Sequence, residues 1–122
     1  MTQERRTRLE AAGIDVAEAL ERMMGSEALL ERLLGKFLED RNFQALQDAL
    51  ERGDSEGAVS ASHALKGVCG NLSMTRLHQC FTDQVAALRR GDLDGARAMM
   101  ERIAPAYEAV RSAIGGAADG AR

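Results

Sequence analysis

The stretch DSEGAVSASHALKGVCGNL, Asp54 to Leu72, decides the fold. At about 100° per residue, Ala58, Ala61, Leu65, Val68, Cys69 and Leu72 fall within a sector about 100° wide, the buried stripe of an amphipathic helix. Asp54, just after Gly53, is the residue type that caps a helix N-terminus. His63 lies about 160° from the centre of the stripe, so its imidazole faces water rather than the core. Gly67 and Gly70 follow one and two turns later, within about 40° of the same direction, with Lys66 on the flank. A glycine inside a helix costs about 1 kcal/mol relative to alanine, and on an outward face packing does not account for it. The reading is that both glycines clear side chains from around His63 and admit another surface to the ring.

Working outward, the punctuation divides the remaining chain into helices. Residues 1–12 are polar and form an N-terminal extension with at most a short helix. Asp15 and Glu18 make a capping box for a helix that runs to about Met24 and stops at Gly25. Ser26 caps a long segment with apolar Leu29, Leu30, Leu33, Leu34, Phe37, Leu38, Leu46 and Leu50, read as one helix over 26–51. Arg52-Gly53-Asp54-Ser55-Glu56-Gly57 and Arg90-Gly91-Asp92-Leu93-Asp94-Gly95 look alike, and common turn chemistry explains them better than a repeat. Helices are expected at about 54–72, 74–90 and 92–114. The last carries a seam at Leu93, Ala96, Met100, Ile103, Tyr107, Val110 and Ile114, with a kink at Pro105. Residues 115–122 read as a flexible tail. Short turns between these helices make an all-α, antiparallel up-down four-helix bundle over 13–114, with one or two short extra helices at the N-terminus.

Composition agrees. Of 122 residues 3% are aromatic, with one proline and no tryptophan, which disfavours an all-β fold. A net charge of −3 argues against nucleic acid or an anionic membrane as the main partner. Two cysteines, Cys69 and Cys80, are too few for a disulfide framework and read as free thiols in a reducing cytoplasm. The first residues lack the apolar core of a signal peptide, and no apolar run approaches the length of a membrane span.

The chemistry lies with His63 and its neighbours. An imidazole is a competent nucleophile at neutral pH without further activation. Among sixteen basic residues only Lys36 and Lys66 are lysines. An ammonium three positions from the ring reaches an anion held on its nitrogen. Imidazole, ammonium and bare backbone together suit the carriage of a phosphoryl group.

The segment His63-Ala64-Leu65-Lys66-Gly67-Val68-Cys69-Gly70-Asn71-Leu72 resembles the H-x-L-K-G motif of histidine-containing phosphotransfer (HPt) domains. The lead-in Gly13-Ile14-Asp15-Val16, the Phe37/Leu38 region, Ala49-Leu50 with Gly53-Asp54, and Leu77 extend the resemblance over about 13–114. It implies a phosphoryl acceptor at His63, stabilisation of the phosphoryl group by Lys66 and partner access over Gly67. Ser73 departs from the family, which usually has glycine at that helix end. The family often also orients the imidazole with a polar side chain from the neighbouring helix; Gln84, on the apolar face with Leu77, Phe81 and Leu88, is the candidate, the alternatives being a bond to a neighbouring backbone group or a partly exposed place at the bundle's edge. The implied function is a phosphorelay intermediate between receiver domains of response regulators or hybrid kinases, a cytoplasmic monomer. It has no cofactor of its own, Mg²⁺ being held by the receiver.

Competing readings are weaker. His63 and Cys69 diverge by about 120° and His78 and Cys80 by about 160° around their helices, so no zinc site converges. No Gly-rich nucleotide loop is present, so a self-sufficient kinase is not expected, and the resemblance implies a phosphoryl carrier instead. No Ser or Cys nucleophile is arranged beside His63 for general-base chemistry. The alternative is a non-catalytic helical adaptor that binds a partner through the glycine-lined face of 54–72, with Met23, Met24 and Val59 as apolar docking surface.

Overall fold

The fold is described by a computed structural model covering residues 1–120, with side chains to residue 116. Among the described residues there are seven helices: α1 (Gln3–Ala11), α2 (Val16–Arg22), α3 (Glu27–Phe37), α4 (Asn42–Glu51), α5 (Ser55–Asn71), α6 (Thr75–Arg89) and α7 (Leu93–Gly120). Helices α4 to α7 form the up-down bundle. Helix α5 packs on α4 and α6, α6 packs on α7, and α7 closes back lightly on α4. No helix among the described residues is long and apolar enough to cross a membrane.

The side-chain caps foreseen at the helix starts are present. The oxygens of Asp15, Ser26 and Asp54 accept from the backbone N–H of Glu18, Leu29 and Gly57 at 2.9–3.1 Å. The look-alike turns are one local device used twice. Gly53 and Gly91 take positive φ of 74° and 82°, which glycine adopts without steric penalty. Asp54 and Asp92 then cap, each paired with the arginine two positions earlier. A Cβ at Gly57 or Gly95 would press on the capping carboxylate, which accounts for the second glycine of each copy.

Three expectations are corrected. The 26–51 segment is not one helix: α3 ends at Phe37 and α4 begins at Asn42, whose N–H donates to Asp40 Oδ1 at 2.7 Å. The break is held from α7, where Arg111 donates to the Leu38 carbonyl at 3.0 Å and Tyr107 stacks on Phe43 with centroids 3.9 Å apart. The capping box is half made, because Glu18 does not return to the Asp15 N–H. That N–H donates to the Ser73 carbonyl at 2.8 Å, and Glu18 Oε1 accepts from Ser73 Oγ at 2.8 Å. These two bonds and the Ile14–Met74 bridge fasten α2 to the α5–α6 turn. Finally, helix continues from Gly115 to Gly120, where a tail was expected; residues 121–122 lie outside the described residues. Gly116 is buried, and a Cβ there would sit 2.8 Å from Arg8 Nε, so this glycine marks close approach of α1 to α7.

The core runs through the bundle, with Leu30, Leu34, Leu46, Leu65, Leu77, Phe81 and Ile103 fully buried. The seam of α7 is inward-facing: Ala96, Ile103, Tyr107, Val110 and Ile114 are buried, Leu93 and Met100 half-buried. Helix α1 is tied down by Arg5, which grips Glu31 with two bonds at 2.7 and 2.8 Å and donates to the Ile114 carbonyl at 2.9 Å.

Candidate functional site

The two faces of α5 differ as its sequence predicts. Ala58, Ala61, Leu65, Cys69 and Leu72 are buried, whereas His63 and Gly67 are exposed and Lys66 is half-buried. Among the described residues the His63 ring makes no hydrogen bond and the Lys66 ammonium no ion pair. Around Gly67 there is open space: a Cβ built there meets nothing within 4 Å.

His63, Lys66 and Gly67 open onto a groove of about 500 Å³. Helix α2 contributes Glu18 and Arg22, and the start of α6 contributes Thr75, His78 and Gln79. None of these five was singled out for the site from the sequence. For α2 the signal was the supposed capping box, whose Glu18 is free to line the groove because it bonds Ser73 instead. Ser73 holds the left-handed position at φ 53° that glycine usually takes, so the departure leaves the turn intact.

Two predicted site residues sit differently. Gly70 lines the groove, but it is not bare: the His78 ring lies against it, and a Cβ would stand 3.1 Å from His78 Cδ2. Gln84 does not orient the imidazole. It is fully buried, accepts from Ser62 Oγ at 2.9 Å and donates to the Ala96 carbonyl at 3.1 Å, with Met100 Sδ at 3.3 Å. Its amide is consumed in joining α5, α6 and α7, one residue round the helix from His63. A buried amide needs such partners, and Ser62, on the edge of the apolar stripe, supplies one.

The floor of the groove is chemically quiet. Burial pushes the Cys69 thiol up to about 12, with Asp40 and Cys80 adding to the shift, so it stays protonated and weakly nucleophilic. Among the described residues no group of three or more His, Cys, Asp or Glu could hold a metal ion.

An unshielded histidine on the outside of a central helix is a nucleophile that can meet a reacting group only at a surface shared with a partner. The family model of the Hpt domain matches residues 32–113, more than half of the chain, and the chain belongs to that family. Membership implies histidine phosphotransfer in two-component signalling, through contact with receiver domains. No curated protein and no solved structure matches the chain. The matched span contains α5 and α6 but not α2, so one wall of the groove lies outside it.

Proposed function

We propose that the protein is a phosphorelay intermediate in which His63 takes a phosphoryl group from the aspartyl phosphate of one receiver domain and gives it to the aspartate of another. The Nε2 lone pair of His63 attacks phosphorus, and the P–O bond to aspartate breaks. The carboxylate leaves with the bonding electrons, while the ring keeps its Nδ1 proton. Onward transfer reverses these steps on the second receiver. Lys66 steadies the phosphoryl oxygens, and Gly67 lets the receiver's active site come down onto the helix. The receiver supplies Mg²⁺ together with its acidic site. The exchange takes place in the cytoplasm, with the protein acting as a monomer.

The observation that carries this reading is the open space over Gly67, one turn from an exposed imidazole and beside an ammonium with no ion pair among the described residues. Receiver domains charged from acetyl phosphate provide the test. Mixed with the protein, at least one should deposit acid-labile, base-stable label, and His63→Gln should take none. Label that persists in His63→Gln, or no label from any receiver, overturns the proposal.

The adaptor reading is favoured by one feature: Met24 is 96% exposed at the α2–α3 corner. A binding contact there serves a relay equally well. Pathway output that survives His63→Gln would select the adaptor, and its loss with partner binding intact would select the relay.

A further inference from the structure

Helix α2 forms the wall of the groove that faces α5. The Asp15 N–H at its start is bonded to the Ser73 carbonyl, just past the end of α5. Arg22 follows Asp15 by seven residues, and Lys66 precedes Ser73 by seven. At roughly 1.5 Å per residue each lies about 10 Å from that fastening. Because both line one groove, α2 runs back along α5, and Arg22 stands about level with Lys66 on the opposite bank, next to the turn that carries His63. Glu18 stays near the fastened end, where Ser73 Oγ donates to it at 2.8 Å.

The resting fold holds Arg22 only loosely. Its side chain is exposed and reaches Glu18 Oε1 at 3.6 Å, the same oxygen that Ser73 already serves. An exposed pair of this geometry contributes little to stability, and Glu18 keeps Ser73 when the arginine leaves. Before phosphorylation Arg22 offsets Glu18, and the Lys66 ammonium has no ion pair among the described residues. The other titratable groups lining the groove are the His63 and His78 rings and the buried Cys69 thiol. A phosphoryl group on His63 adds nearly two negative charges and three acceptor oxygens, more than one ammonium satisfies. A guanidinium presents a planar fork of donors that matches two phosphoryl oxygens at once, and charge-assisted bonds of that kind outweigh so loose a pair.

We infer that Arg22 is a second phosphoryl-binding residue: when His63 is phosphorylated, the guanidinium leaves Glu18 and grips the phosphoryl oxygens from α2, opposite Lys66. The inference rests on the relay reading only in taking His63 as the phosphorylated residue, and it needs no receiver. Phosphorylation thereby exchanges one ion pair for another and ties the C-terminal end of α2, a helix outside the α4–α7 bundle, to α5.

Phosphoramidate loads His63 without a receiver: a ring nitrogen bonds to phosphorus, the P–N bond of the reagent breaks, and ammonia leaves with the bonding electrons. The phosphorus NMR resonance that is absent from His63→Gln reports the group. The pH midpoint of that resonance reads the nearby cations, because positive charge favours the less protonated form. Arg22→Gln should raise the midpoint by about half a pH unit, the scale of one partly exposed ion pair, and Arg22→Lys should restore part of the difference. Arg102→Gln, an equal loss of charge at an exposed position of α7, should leave it unchanged. A midpoint that Arg22→Gln leaves in place, or that Arg102→Gln raises equally, overturns the inference, while label passed from a receiver to His63 still supports the relay. Label from phosphoramidate but from no receiver overturns the relay alone. If neither labels His63, both fall.

Discussion

Gly67 and Gly70 occupy the same face of α5, yet their replacement should have different consequences. In a helix interior Gly→Ala is worth about 1 kcal/mol. At position 67 the added methyl meets nothing within 4 Å, so Gly67→Ala should collect the full gain and raise Tm by about 4 °C. At position 70 the methyl lies 3.1 Å from His78 Cδ2, tighter than ordinary contact. The ring must shift, and the displacement offsets the propensity gain, leaving Tm near that of the parent. Function should move the other way at position 67. Helical side chains lean toward the N-terminus, over the residue four positions earlier, so Gly67→Leu places its branch on His63. Phosphoryl transfer from a receiver should then slow at least about tenfold, equivalent to about 1.4 kcal/mol of barrier, in a protein no less stable than the parent. Thermal unfolding and rapid-quench labelling make the two measurements. A folded Gly67→Leu that exchanges phosphoryl groups within twofold of the parent rate would refute the access argument.

Three further outcomes follow from the structure. Gln84→Ala strands Ser62 Oγ, removes the second donor to the Ala96 carbonyl and opens a cavity, so denaturant titration should show a loss of about 3 kcal/mol. Labelling of His63 under conditions where that variant remains folded should be unchanged, and a selective loss of transfer would restore Gln84 as an orienter. Lys66→Ala should slow transfer about tenfold with stability within about 0.5 kcal/mol of the parent, because its ammonium has no ion pair among the described residues; equal rates would remove it from the site. The Cys69 thiol, held at about 12 against 9.0 when free, binds a proton in the native state that the unfolded chain releases. Stability should therefore decline as pH rises from about 9 toward 12, and Cys69→Ala should flatten that decline in denaturation midpoints measured across the range.

Most of the architecture was legible because it rests on local rules. Stripe, cap and turn glycine each act within a few residues, and Asp15, Ser26, Asp54 and the α7 seam behave accordingly. The break between α3 and α4 was missed although a signal was present. On one continuous helix Leu46 would point about 180° from Phe37, yet both are buried, so the apolar phase jumps where the chain turns. Gly115 and Gly116 read as a loose end because glycine commonly ends helices, whereas Gly116 is where Arg8 crosses α7. That contact spans more than a hundred positions, and no local pattern encodes it. Within the site, the exposure of His63 was a matter of helical phase and was readable. The roles of Glu18, Gln84 and His78 depend on which neighbour each side chain meets. For Gln84 the answer was three contacts that lead away from the imidazole.

The fastening of α2 to the α5–α6 turn separates two tasks along the chain. His63 and Lys66 belong to one helix, while the opposite bank, with Glu18 and Arg22, is a short separate helix held by the Ser73 carbonyl and hydroxyl, the Ile14–Met74 bridge and the burial of Val16 and Ala19. If the proposed relay holds, exchanging the exposed positions of 16–22 for those of another member of the family, with Val16, Glu18 and Ala19 kept for the core and the Ser73 bond, should change which receiver labels His63.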